Sequence, residues 1–372
     1  MANEVLKKGG EVASEVSGET RGFDFGGMRF GMKAWRASAS DAREGGALSA
    51  PIVLVHGFAQ QASIWDKAAL SLSHAGVECF AFELAGHGES ARPTVGDAPG
   101  REAFDLRFQA RALLAFCGTV ARDAGVAPVL VGYSMGGRVA LQTACLAADD
   151  LRDGGELNRI SLRSSAAFAP CDRARRLDVA GACQRDVTAN AARMSAAVPF
   201  SALVLESAGL GPADAASRGA LRERNFAWAA RVRDEGVSAF MDWWAGLPLF
   251  ESQHNLTNDQ RERLRAGRLA NDTESLALSF ERAGAHAMPS QGESIRALCE
   301  LAAKGIPVSY LTGELDAKYC KVASILQAES QGAVSCRIVP AAGHSIHLEQ
   351  PEVFASILKE VVESCTPKPA AP

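Results

Sequence analysis

Short apolar runs alternate with longer amphipathic stretches along most of the chain. PIVLVHGF (51–58), VECFAFEL (77–84) and PVLVGYS (128–134) are continuous apolar runs of strand length, as expected of parallel strands buried on both faces. ALVLE (202–206), PVSYLT (307–312) and SCRIV (335–339) read the same way. Between them, WDKAALSLSHAG and residues 101–124 carry apolar positions at helical spacing. GFDFGGMRFGMKAWRA (22–37) alternates around turn residues and predicts a hairpin or edge strand. Strands alternating with helices predict an α/β fold, a mostly parallel sheet covered by helices on both faces.

Three regions break this rhythm. Residues 1–20 are polar and glycine-rich and are expected to be disordered. Residues 150–200 are rich in Arg, Asp, Ser and Ala without a strand pattern, and read as an irregular insertion. Residues 209–300 are mainly helical, with aromatic clusters such as FMDWWAGLPLF, and read as a helical cap inserted after a core strand. The expected layout is core at 21–208, cap at 209–300 and core again at 301–372.

The 372 residues are 47% apolar, enough for a large core, and the net charge of −4 leaves no basic footprint for nucleic acid. The nine cysteines are odd in number and scattered, with no C-x-x-C, which favours reduced thiols over a disulfide framework or a zinc site. The first residues lack the apolar core of a signal peptide, and no run of eighteen apolar residues occurs. A cytoplasmic protein with no membrane span is expected. The oligomeric state is left open.

The chemistry enters at Gly132-Tyr133-Ser134-Met135-Gly136. A G-x-S-x-G between a strand and a helix is the nucleophile-elbow pattern. It holds Ser134 on a sharp turn, and the N–H of Met135 at the helix start can face a developing oxyanion. A hydroxyl needs a histidine to take its proton, and the histidine needs a carboxylate to fix its tautomer. Both follow in the expected order and loop positions. Asp316 in YLTGELDAKY comes just after one strand, and His344 in IVPAAGHSIHLEQP just after the next. His347 is the competitor, but it falls where a helix should begin. His56 is expected to shape its loop, and the N–H of Phe58 to be the second oxyanion donor. His87 is expected to support the loop after the second strand, and His74, His254 and His286 to be packing or surface residues. No metal-ligand spacing occurs, so neither a metal nor any other cofactor is expected.

HGF, ELAGHGES, GYSMGG, GELD and GHSIHLEQP together resemble the α/β-hydrolase superfamily over residues 51–360, with Glu83 where that pattern usually has Asp. A narrower resemblance rests on GYSMGGRVA, ALVLESAGLGP followed by SRGALRERNFAWAARV, FMDWWAGLPLFESQ, LRAGRLAND and TGELDAKY. These look like the SHCHC synthase family of menaquinone biosynthesis (2-succinyl-6-hydroxy-2,4-cyclohexadiene-1-carboxylate synthase). That resemblance implies a lyase that eliminates pyruvate from 2-succinyl-5-enolpyruvyl-6-hydroxy-3-cyclohexene-1-carboxylate, with the triad serine as base. It also implies a set of substrate-binding residues. Arg138 and Arg268 would hold carboxylates, together with either Arg222 or Arg224. Tyr133 and Trp244 would line the pocket, and Lys318 matches a position where the family often has lysine. Guanidinium forks suit such a polycarboxylate substrate. Two rivals stand beside this reading. One is a hydrolase of carboxylate-bearing esters or carbon–carbon bonds on the same triad, and the other a non-catalytic binding protein of the same fold.

Overall fold

A computed structural model describes residues 18–37, 49–92, 98–153 and 198–365. Eight strands form one sheet in the order β1-β2-β4-β3-β5-β6-β7-β8. The hairpin of β1 (Glu19–Phe25) and β2 (Met28–Trp35) occupies one edge, and β2 pairs antiparallel with β4. From β4 onward every pairing is parallel. The strands are β3 (Ile52–Val55), β4 (Cys79–Phe82), β5 (Val129–Tyr133), β6 (Ala202–Glu206), β7 (Val308–Gly313) and β8 (Ser335–Val339).

The continuous apolar runs are explained by burial on both faces. Val53, Leu130, Leu203 and Tyr310 point into one core, while Leu54, Val131, Val204 and Leu311 point into the other. On the first face pack α3 (Leu106–Ala124) and α4 (Met135–Arg152), while α1 (Asp66–His74) lies on the second. A short helix, α2 (Ala98–Glu102), precedes α3. The described residues contain no helix long and apolar enough to cross a membrane.

Between β6 and β7 the chain makes a helical excursion. It contains α5 (Ala215–Ala245), broken at Gly236 (φ 76°), then α6 (Asn258–Leu269) and α7 (Thr273–Ala283). Side chains fix their starts: Asp214 accepts from the N–H of Ser217 at 2.7 Å, Thr257 from Gln260 at 3.3 Å and Asp272 from Ser275 at 2.9 Å. Phe240, Trp244 and Phe280 form a core of their own, onto which Phe58 packs.

The excursion ends earlier than residue 300. α8 (Gln291–Ala303) packs on α4 and feeds β7, because Ile295, Leu298 and Leu301 complete the sheet's first core. At the other end, β1 begins inside the segment expected to be disordered, since Phe23 needs the sheet to bury it. α4 continues to Arg152, so the segment after β5 is regular past residue 150. The rest of the expected insertion, 154–197, lies outside the described residues. The chain closes with α9 (Ala317–Glu329), α10 (Ile346–Glu349) and α11 (Pro351–Cys365), the last packed on α1. The seven described cysteines are all free thiols.

Candidate active site

β5 runs into α4 with Ser134 at the turn, at φ 50°. This is left-handed backbone for a non-glycine residue, which persists only where the surroundings impose it. The Ser134 N–H donates to the carbonyl of Glu206 at 2.9 Å, pinning the turn to β6. Gly136 is needed for close approach, since a Cβ there would sit 2.3 Å from the carbonyl oxygen of Val55. A serine at a helix start commonly caps that helix with its hydroxyl. Ser134 does not, and its Oγ lies instead 3.1 Å from Nε2 of His344.

His344 Nδ1 lies 2.7 Å from Oδ2 of Asp316, and both side chains are buried. The other carboxylate oxygen of Asp316 accepts from the N–H of Tyr319 at 3.2 Å, capping α9. Asp316 is therefore oriented by a helix start on one side and by the imidazole on the other. With Nδ1–H donating to Asp316, Nε2 is left to accept from Ser134. Three loops after β5, β7 and β8 thus bring Ser134, His344 and Asp316 within hydrogen-bonding distance in a row. His347 takes no part: its Nδ1 is 2.9 Å from both carboxylate oxygens of Glu206, and both residues are buried.

The loop after β3 faces the elbow. No described group accepts from the N–H of Phe58 or Met135, which leaves both as candidate oxyanion donors. Two buried histidines hold this loop. His56 Nε2 accepts from the N–H of Leu84 at 3.1 Å, and His87 Nε2 from the N–H of Ala59 at 3.3 Å. Burial holds both imidazoles neutral, with pKa values pushed down to about 3 and about 4. Glu83 acts on the same region, accepting from the N–H groups of Ala62 (2.9 Å) and Glu89 (2.7 Å). Its longer side chain serves as a loop clasp.

The cavity around Ser134 is lined by Arg138, Arg224, Arg268 and Lys318, and by no aspartate or glutamate. Arg138 is half-buried and reaches only the carbonyl of Ala283, at 3.5 Å. Arg224 stacks on Trp228 at 4.6 Å, and its buried Nε has no partner. Arg268 is 6% exposed and donates to Gln253 at 3.1 Å. Burial pulls the pKa of all three guanidinium groups down, and no carboxylate offsets it. Trp244 and Tyr133 line the same cavity. Trp244 packs on Phe58 at 5.0 Å. Lys318 is exposed at the rim, with its Nζ 4.8 Å from the Tyr319 ring.

Arg222 is not in this cavity. It is exposed on the outer face of α5, over Phe226, because two residues of helix rotate it away from Arg224. The alternative left open by the sequence therefore resolves to Arg224.

Sequence reasoning missed several neighbours. Tyr319 lines the cavity 5.0 Å from the His344 ring, beside Arg138 and Arg224. A chain of bonds runs from Arg268 through Gln253 and Ser345 to Tyr133. Gln253 Nε2 donates to Ser345 Oγ at 3.1 Å, which lies 2.7 Å from the Tyr133 hydroxyl. Glu349 accepts from the N–H groups of Gly343 and Ser345. Only the adjacency of Tyr319 to Asp316, and of Ser345 to His344, could have signalled any of these.

The profile described as "Alpha/beta hydrolase family" matches residues 52–357. A Bacillus subtilis protein provisionally named 2-succinyl-6-hydroxy-2,4-cyclohexadiene-1-carboxylate synthase is 36% identical over 166 residues, 44% of this chain and 57% of that protein. The enzyme of that name from Salmonella paratyphi C is 26% identical over 84% of this chain and 93% of its own length. Among solved structures, MenH from S. aureus superposes with a TM-score of 0.64 at 21% identity, covering 90% of this chain and 98% of that one. A thermophilic esterase from Thermogutta terrifontis gives 0.61 at 18% identity, covering 94% of this chain and all of that one. The chain belongs to the alpha/beta hydrolase family, and its similarity to the Salmonella enzyme extends over 84% of its length.

Proposed function

We propose that this chain is a carbon–oxygen lyase that eliminates pyruvate from 2-succinyl-5-enolpyruvyl-6-hydroxy-3-cyclohexene-1-carboxylate, giving SHCHC. The observation that carries this reading is the cavity wall around Ser134, with four cations and no described acid. Buried guanidinium groups without carboxylates call for an anionic ligand. A substrate with succinyl, enolpyruvyl and ring carboxylates supplies three negative charges. A neutral ester would leave those cations unpaired.

In this mechanism His344 takes the Ser134 proton while Asp316 holds the imidazole. Ser134 Oγ then removes the proton of the ring carbon that bears the succinyl group, α to the succinyl carbonyl. Charge building on the succinyl carbonyl oxygen is met by the N–H groups of Phe58 and Met135, each such donor contributing about 10²- to 10³-fold in rate. The freed electron pair forms a double bond to the neighbouring ring carbon, the existing ring double bond shifts by one position, and the carbon–oxygen bond to the enolpyruvyl group breaks, leaving a diene. The released enolpyruvate takes up the abstracted proton at carbon and leaves as pyruvate. No water is consumed and no acyl-enzyme forms. Arg138, Arg224 and Arg268 hold the carboxylates so that the leaving group stays aligned.

The cavity is about 70 Å³, below the ~300–1,000 Å³ usual for small-molecule sites. The test is pyruvate release from the substrate made in situ, run beside a panel of p-nitrophenyl esters. Release above the spontaneous rate, lost in Ser134→Ala, is expected. Brisk ester hydrolysis without pyruvate release would overturn the reading.

A further inference from the structure

A second, larger cavity of about 420 Å³ lies on the other side of Arg268. Its floor is made by the buried residues Gln60, Leu264, Arg268 and His347, and Ile64 and Leu348 add apolar wall. Gln60 and Arg268 also line the cavity around Ser134, so the two spaces share a wall.

Its charge balance is uneven. Two acids stand at the rim, and each already has a cation: Asp66 is 2.7 Å from Lys33, and Asp259 is 3.0 Å from Arg263. Lys67 at the rim and Arg268 in the floor have no described carboxylate within ion-pair distance. Among the described residues Arg268 donates from Nη2 to Gln253, leaving most of its five donors for a ligand.

The space is also held open by Gly267. This glycine lies inside α6, where glycine is among the weakest helix formers, and its backbone is not left-handed. A Cβ there would meet nothing closer than the Gln61 amide at 3.6 Å. Any larger side chain at 267 would enter the cavity. Helix propensity gives no reason for the glycine, whereas an occupied cavity does.

We propose that this cavity is a second ligand site, for a monocarboxylate with a compact apolar body. The carboxylate sits on Arg268, with Lys67 steering it in, and the body rests on Ile64 and Leu264. Its binding does not depend on the reaction proposed above. Its effect on turnover does rest on that reading. A carboxylate on the far face of Arg268 draws the guanidinium from the catalytic cavity and weakens substrate capture, so the two ligands oppose each other by linkage.

The probe is benzoate, titrated calorimetrically into the full-length wild-type protein and into Gly267→Phe, Gly267→Leu and Arg138→Ala. Saturable binding is expected in wild type and in Arg138→Ala, weakened at least tenfold by either Gly267 variant. Turnover without benzoate should stay within about threefold of wild type in the Gly267 variants, which also shows that they fold. Benzoate should raise the apparent KM in wild type and in Arg138→Ala, and not in the Gly267 variants. Three results would overturn the site: no saturable binding up to 20-fold above about 1 mM, binding retained in both Gly267 variants, or binding lost in Arg138→Ala alone. Benzoate binding that follows this pattern in a protein releasing no pyruvate would uphold the site and reject the lyase reading separately.

Discussion

Glu349 grips the loop of His344 from both sides: its carboxylate accepts from the N–H of Gly343 at 2.7 Å and from that of Ser345 at 3.1 Å. The imidazole is thus set by two backbone anchors in addition to Asp316. Hydrogen bonds to a charged acceptor contribute about 1.5–3 kcal/mol each. Glu349→Ala is expected to lower kcat by about 10- to 100-fold with little change in KM, since the carboxylate is not among the groups lining the cavity. Glu349→Gln, which keeps one acceptor, should fall between. A folded Glu349→Ala protein with kcat within twofold of wild type would show that the loop needs no such anchor.

The arginines separate by position on the helix. Arg224→Ala and Arg138→Ala each remove an unpaired guanidinium from the catalytic cavity, and each should raise KM by about 10- to 100-fold, equivalent to about 1.4–2.8 kcal/mol. Arg222→Ala should stay within about twofold, because that side chain lies outside, over Phe226. Steady-state kinetics on the three variants decides this. Equal losses for Arg222→Ala and Arg224→Ala would mean that the helix face is misassigned.

Tyr319→Phe deletes one hydroxyl and leaves the ring that packs 5.0 Å from His344. If the phenol helps the two arginines hold a carboxylate, KM should rise about tenfold while the pH dependence of kcat stays put. A displaced pH profile with unchanged KM would place its action on His344 instead.

The sheet was legible because strands buried on both faces must be continuously apolar, and Val53/Leu54 and Val204/Leu205 carry that signal in neighbouring positions. Ser134, Asp316 and His344 were legible because chain order and loop position are fixed by the architecture. The rest of the wall was not. Helix rotation decides between Arg222 and Arg224, and the boundaries of α5 depend on the Asp214 cap and on the break at Gly236. The end of the excursion was not legible because α8 is amphipathic like the helices before it. Only its packing on α4 shows that its apolar face belongs to the sheet. Gln253, Ser345 and Glu349 carry no motif, since a polar residue that supports another polar residue is ordinary in composition.

Acid should unfold this protein through the loop that follows β3. His56 and His87 titrate near 6.5 when the chain is unfolded, but burial pushes them down to about 3 and about 4 in the fold. A depressed pKa means that the unfolded state binds more protons, so stability is full above pH 6.5 and is lost as pH falls toward those folded values. Each group contributes up to about 1.4 kcal/mol per pH unit in that window. Glu83 acts in the opposite sense. Burial raises its pKa, so just above its unfolded value of 4.5 the folded state holds the extra proton and gains stability as pH falls. The two imidazoles outnumber it, and the net slope between pH 6.5 and 4.5 should be toward unfolding. Urea midpoints measured across that range would show it, and His87→Gln should flatten the slope by about one proton even though it lowers stability at pH 7. An unchanged slope in His87→Gln would mean that this imidazole is already charged in the fold, and with it that the Ala59 N–H has no acceptor there.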